Sequence, residues 1–235
     1  MTHTHRHDVS LWHTTLNPSA GAPVLMLHGN GEDHRSLLPL AQRLAARHTV
    51  HLLDSRNHGQ SARHADCSYA AMAGDVAALI ERWQAQAQAQ AQGRAADAFA
   101  LVGFSDGAII AILVALARPD LVRQLVLMGP NLSPADFTPE ARAWIENEWA
   151  QTGNPLMRLM LTEPNIAPQA LRGIAQPTWL IAGEDDACPR AVFEGMAAQL
   201  PNARLSVLPG HNHFSYIFGS DDLTEPLLAF LAEVR

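Results

Sequence analysis

The 235-residue chain contains no lysine, and all 16 of its basic residues are arginine. A pyridoxal-phosphate Schiff base, a Walker A phosphate loop, a kinase strand lysine and a Ser–Lys dyad each require a lysine amine, so these chemistries are excluded. Cysteine is nearly as scarce, and Cys67 and Cys188 alone make no disulfide framework. No run approaches the roughly 18 apolar residues of a membrane-spanning helix. Residues 1–8 are polar and His-rich, without the apolar core of a signal peptide. A soluble, cytoplasmic protein with no membrane partner is expected. Histidine, finally, is absent from residues 65–210, which narrows the choice of catalytic base below.

What is present is a globular composition. Hydrophobic residues are 48% and charged residues 17% of the chain, enough apolar material for a packed core. The length suits one domain with room for an insertion. A net charge of −7 argues against nucleic acid as a partner.

Short apolar runs alternate with helical patterns. Strands are predicted at Val24–Leu27, Val50–Leu53, Phe99–Val102, Leu125–Met128, Thr178–Ala182 and Leu205–Leu208, each bounded by turn residues as strands buried on both faces are. Helices are predicted near 35–47, 69–92, 106–117, 190–200 and 222–233. This alternation implies an α/β fold, a mostly parallel sheet with helices on both faces. Ligands of such sheets bind beyond the carboxyl ends of the strands. Two stretches break the rhythm. The Gln/Ala alternation of residues 84–92 reads as a solvent-facing extension of a helix. Residues 131–176 hold helical patterns but no strand, and read as a short helical cap inserted into a core of residues 1–130 and 177–235.

The strongest chemical signal is Gly103-Phe104-Ser105-Asp106-Gly107, between a predicted strand and an apolar helix. This is a G-x-S-x-G elbow in its required context. A strand turning at once into a helix strains the middle residue, and its neighbours two positions away must be small. Ser105 is the candidate nucleophile, projecting at a helix N-terminus that favours developing negative charge. Asp106 lies one place past the apex, so its backbone N–H rather than its carboxylate is assigned to an oxyanion hole.

An activated serine needs a histidine, and the histidine needs an orienting carboxylate. Only His211 and His213 follow the serine. His213, in the loop after a strand, is the preferred base, with His211 the alternative. Glu184, Asp185 and Asp186 follow another strand; Asp186 is the preferred acid and Asp185 comes next. The His-x-His pair has no carboxylate or cysteine cluster at metal-site spacing, and His3, His5 and His7 read as a tail, so no metal is assigned. Val24–Leu27 runs into His28-Gly29-Asn30-Gly31, a glycine loop that fails the dinucleotide fingerprint because its last position is His34. The loop instead supplies a second oxyanion N–H, from Asn30, while His28 orients the loop. Trp144, Trp149, Leu156, Met157 and Met160 of the cap are candidates to line an apolar acyl pocket.

With these pieces in place, the chain resembles members of the α/β-hydrolase fold superfamily. The similarity rests on His28-Gly29-Asn30-Gly31, the turn Asp54-Ser55-Arg56-Asn57-His58-Gly59-Gln60-Ser61, the Ser105 elbow, Gly183-Glu184-Asp185-Asp186 and Gly210-His211-Asn212-His213-Phe214, in the superfamily's order. Asn57 stands where the turn usually has glycine, and asparagine tolerates a left-handed backbone. The resemblance implies a Ser-His-Asp triad, an inserted lid, no cofactor and no metal. It implies acyl-transfer hydrolysis of a small or medium ester, carried out by a monomer or homodimer on a small-molecule acyl substrate. Thioesters, amides, C–C bonds, perhydrolysis and a non-catalytic binding role belong to the same fold, so fold alone does not choose among them.

Overall fold

The computed structural model describes residues 9–18, 20–90, 97–218 and 220–234. Seven strands form one sheet in the order β1-β3-β2-β4-β5-β6-β7. They are β1 (His13–Leu16), β2 (Pro23–Leu27), β3 (Thr49–Leu53), β4 (Phe99–Phe104), β5 (Val122–Met128), β6 (Thr178–Asp185) and β7 (Ala203–Asn212). β1 pairs antiparallel with β3, and every other pairing is parallel. The six predicted strands all form. The sequence left the leading strand unplaced, because β1 is a half-exposed edge strand whose polar His-Thr-Thr lacks the apolar run of a buried one.

Alternation along the strands divides the core in two. Leu25, Leu27, Leu101, Leu125 and Leu127 face one layer, with Val76 and Ile80 of α2 (Tyr69–Gln90), Ile109 and Ile112 of α3 (Asp106–Ala117), and Phe193 of α6 (Arg190–Gln199). Val24, Met26, Val102 and Val126 face the other, with Leu44 of α1 (Leu38–Leu44) and Leu227 and Leu231 of α7 (Thr224–Ala232). Helices on both faces are what bury the continuous apolar strands. α1 is shorter than the predicted 35–47. Pro39 sits in its first turn and a separate 3₁₀ turn, His34–Ser36, precedes it, because proline starts a helix more readily than it continues one. α2 carries the Gln/Ala alternation as far as Gln90. Ala91 and Gln92 lie outside the described residues, as do His3, His5 and His7.

Between β5 and β6 the chain forms 3₁₀ turns at Pro134–Asp136 and Pro168–Gly173 and two helices, α4 (Pro139–Thr152) and α5 (Pro155–Thr162). Thr138 and Asn154 cap them by accepting from the N–H groups of Ala141 and Leu156. Leu132, Leu156, Leu159, Leu171 and Ile174 join the main apolar cluster, so this segment is anchored onto the sheet's helical layer.

The turn after β3 is held from below. Asn57 adopts a left-handed backbone, φ +67°, and its Oδ1 accepts from the His64 N–H at 2.7 Å. Arg56 donates from Nε and Nη2 to both oxygens of Asp75, at 2.6 and 2.7 Å, and from Nη1 to the Asp66 carbonyl at 3.0 Å. Both side chains of this pair are 5% exposed. Truncating one partner leaves the other charge buried and uncompensated. Arg56→Ala is expected to lower the unfolding free energy by about 3–5 kcal/mol, measured by urea denaturation; a loss below about 1 kcal/mol, the size of an exposed pair, would contradict the role given to it.

Candidate active site

The sheet presents the ends of β2, β4, β5, β6 and β7 along one edge, and the residues that follow β2, β4, β6 and β7 meet there. The elbow explains why. Ser105 stands at φ +52°, ψ −116°, between β4 and α3. This backbone region is strained for a side-chain-bearing residue. It persists because the turn is over-determined. The Ser105 N–H donates to the Met128 carbonyl at 2.8 Å, and the Ser105 carbonyl accepts from Ala108 and Ile109. A Cβ on Gly103 would overlap the Gly107 carbonyl, and one on Gly107 would overlap the Leu27 carbonyl. Both glycines are required by close approach.

Of the two histidines left open by the sequence, the structure brings His213 to the serine. His213 Nε2 lies 3.1 Å from Ser105 Oγ. On its other side Nδ1 lies 2.6 Å from Asp186 Oδ1. The pattern assigns the ring proton to Nδ1, leaving Nε2 to accept from the hydroxyl. His211 is turned away, toward Ser215 Oγ and Asp222. Of the three consecutive carboxylates, Asp186 is buried while Glu184 and Asp185 are exposed. Asp186 also accepts from the Gly183 and Ala187 N–H groups, both at 2.8 Å, and from the Tyr216 hydroxyl at 3.2 Å. Glu184 accepts from the Gly210 N–H and so ties the β6 loop to the end of β7. Tyr216 was not legible as a site residue, since nothing in the spacing of His213-Phe214-Ser215-Tyr216 marks its hydroxyl as a support for Asp186.

Asn30 lines the same cavity as Ser105, and Asp106 follows the serine directly; the backbone N–H groups of both have no protein hydrogen-bond partner among the described residues. The Asn30 loop is held by His28, whose Nε2 accepts from the Ser55 N–H at 3.1 Å while Nδ1 donates to the Gly29 carbonyl at 2.8 Å. Burial, with nearby His58, lowers the His28 pKa to about 4, so this ring is a neutral structural tie. The Asn30 side chain donates to Asp106 Oδ2 at 2.9 Å and to the Leu156 carbonyl of α5 at 3.1 Å. Asp106 Oδ1 accepts from the Tyr69 hydroxyl at 2.7 Å. The Asp106 carboxyl is thus a brace joining the elbow to the Asn30 loop and, through Asn30, to α5.

A cavity of about 410 Å³ opens over Ser105 and His213. Trp144, Met157 and Met160 line it, as the sequence suggested, together with Phe137, Ile145 and Phe214. Trp149 and Leu156 do not. Leu156 is buried in the main apolar cluster. Trp149 is 42% exposed and lies four residues beyond Ile145, the last α4 residue of the lining, about 6 Å further along the axis. The sequence also missed Glu32, a half-buried carboxylate in the cavity wall; its place two residues after Asn30 was the available signal. Elsewhere, Asp33, His34 and Asp54 bring ligand-type atoms close together. Each is already engaged: Asp33 by Arg35, and Asp54 by the His34 ring and the His34 and Gln60 N–H groups.

A family model described as alpha/beta hydrolase fold matches residues 22–152. The chain is 27% identical to a protein of Azorhizobium caulinodans that carries the name carbamate hydrolase RutD, with 100% of this chain and 99% of that one covered. It is 25% identical to the pimeloyl-[acyl-carrier protein] methyl ester esterase of Xanthomonas campestris pv. campestris, covering 90% of this chain and 96% of that protein. Among solved structures, the esterase EaEST from Exiguobacterium antarcticum is similar with a TM-score of 0.79 at 19% identity, with 96% of each chain covered.

Burial, only partly offset by the Tyr69 and Asn30 hydrogen bonds, raises the Asp106 pKa from 3.8 to about 6. Between these values the folded chain keeps a proton that the unfolded chain has released, so stability is lost as the pH rises through this window. The displacement corresponds to about 3 kcal/mol. Asp106→Asn cannot ionise, and its unfolding free energy relative to the parent is expected to improve by up to about that amount between pH 4 and pH 7. Urea denaturation across the range checks this; parallel pH profiles for the two proteins would refute it.

Proposed function

Because the chain belongs to the α/β hydrolase fold family and is a hydrolase, we propose that it cleaves small or medium carboxylic esters through a covalent acyl-enzyme on Ser105. The reading is carried by one observation: His213 lies within hydrogen-bond reach of both Ser105 Oγ and Asp186, at 3.1 and 2.6 Å. That is the nucleophile–base–orienting acid arrangement that activates a serine. The exposed flank of the same triad opens into an apolar cavity, of the size ordinary for small-ligand sites. Residues 131–176 act as the cap over it. Relatives named as methyl ester and carbamate hydrolases support a carbonyl with a departing heteroatom group.

In this cycle Ser105 Oγ attacks the acyl carbon as His213 Nε2 takes its proton. The carbonyl oxygen becomes an oxyanion, held by the Asn30 and Asp106 N–H groups. Such donors contribute because they are aimed in advance at charge that develops only in the transition state, at about 3–4 kcal/mol each. Asp186 keeps the imidazole in the required tautomer and stabilises the imidazolium. His213 then gives its proton to the leaving alkoxide, and the alcohol departs. Water attacks the acyl-enzyme, His213 takes the water's proton, and collapse returns it to Ser105 Oγ as the acid is released.

Ser105→Ala is expected to lower kcat for p-nitrophenyl butyrate by about 10⁴-fold or more, with the far-UV circular dichroism and melting temperature of the parent. The parent, not the variant, should be labelled by a fluorophosphonate probe. Turnover in the variant within tenfold of the parent would remove Ser105 from the mechanism.

A further inference from the structure

The cavity is one-sided in charge. Its charged lining consists of Glu32, Asp185 and Asp186, and no arginine is among the described residues that form it. This is built into the two helices above the nucleophile. On α4, Ala141, Trp144 and Ile145 line the cavity, while Arg142 faces away and pairs with Glu146 one turn on. On α5, Met157 and Met160 line it, while Arg158 between them is exposed. Helical spacing puts each arginine off the face that the apolar residues occupy. Arg35, close in sequence to Glu32, is taken by Asp33. The chain has no lysine to supply a cation in its place.

Among the three carboxylates, Asp186 is consumed by the His213 hydrogen bond and three further donors. Asp185 is exposed at the rim. Glu32 differs from both. It is half-buried in the wall, and no basic side chain comes within ion-pair distance of it among the described residues. Its Oε2 is fixed by accepting from the Gly29 N–H at 3.1 Å, beside the Asn30 donor. A fixed charge in an apolar, partly water-excluded cavity acts at low effective dielectric, where like charges repel far more strongly than in water.

We propose that Glu32 is a specificity-determining residue that bars acyl groups carrying a free carboxylate, so that the substrates of this site are esters of neutral or ammonium-bearing acyl chains. This rests on the ester-hydrolase reading above. It deepens that reading, because discrimination between partners often lies in repulsion of the wrong one.

The test is a matched series at pH 8: methyl hexanoate, methyl 6-aminohexanoate and monomethyl adipate, whose acyl chains end in methyl, ammonium and carboxylate. The expected kcat/KM for monomethyl adipate is at least about tenfold below that of methyl hexanoate, and the aminohexanoate is within a few-fold of the hexanoate. Raising the salt narrows the adipate gap. Glu32→Gln keeps an acceptor for the Gly29 N–H, and is expected to narrow the gap by about fivefold or more. Comparing the two esters within one protein cancels any general loss of turnover in the variant, and the parent's own ester order and salt series stand without it. Equal kcat/KM for adipate and hexanoate in the parent, or an unchanged gap in a folded Glu32→Gln, overturns the proposal. If the parent cleaves none of the three, the hydrolase reading fails. The charge rule is then decided by equilibrium binding of hexanamide, 6-aminohexanamide and adipamic acid, where adipamic acid binding as tightly as hexanamide overturns it.

Discussion

The backbone at Ser105 is where the rest of the site begins. A strand must end, a helix must start, and one residue between them must take a left-handed, strained conformation. That geometry is bought by packing, since α3 lies so close to β2 and β4 that a Cβ at Gly103 or Gly107 would strike backbone carbonyls. The same closeness has two consequences at once. It aims the hydroxyl out beyond the sheet, toward His213, and it leaves the Asp106 N–H, the first of α3, without a helical partner beside that hydroxyl.

The second half of the site comes to the serine along the sheet edge. β6 and β7 are neighbours in a parallel pairing, so the loops that follow them lie side by side. Asp186 and His213 are separated by 27 residues in sequence, yet bond at 2.6 Å. On the opposite flank, β2 neighbours β4, and the Asn30 loop rises beside the elbow. The Asp106 carboxyl then ties that loop to α2 through Tyr69, while Asn30 reaches α5 through the Leu156 carbonyl. A buried carboxyl in this place is a costly brace, because its charged form is poorly solvated. It adds a directional link between the elbow, the Asn30 loop and α2, beside the β2–β4 pairing and the Asn30–Leu156 hydrogen bond.

Charge completes the description. Composition made the chain acidic and removed lysine altogether. Folding sorted the remaining cations: Arg56 went under the β3 turn with Asp75, and Arg142 and Arg158 went to the outer faces of the two helices above the cavity. The result is an apolar chamber whose fixed side-chain charges are carboxylates.

Much of this was legible in the residue pattern. The order of strands and helices follows from apolar runs long enough to be buried on both faces, and the elbow follows from small residues spaced two either side of a serine. Because the elbow architecture runs in the order serine, acid, histidine, and no histidine lies between residues 65 and 210, only His211 and His213 were left as partners for that serine. The sequence preferred His213 to His211 and Asp186 to Asp185, but held His211 and Asp185 as alternatives. Those choices turn on which side chain is directed inward where β6 and β7 end, next to an irregularity in their pairing between Gly183 and Asp185. The sequence did not exclude Trp149 from the cavity, reveal Glu32 in its wall, or show Tyr216 and Tyr69 beneath the two aspartates. Local pattern, then, determined the elements, their order and the kind of chemistry. Only the tertiary structure decided which atoms meet, because hydrogen bonds of about 3 Å between residues far apart in the chain are set by strand neighbourhood and helix packing.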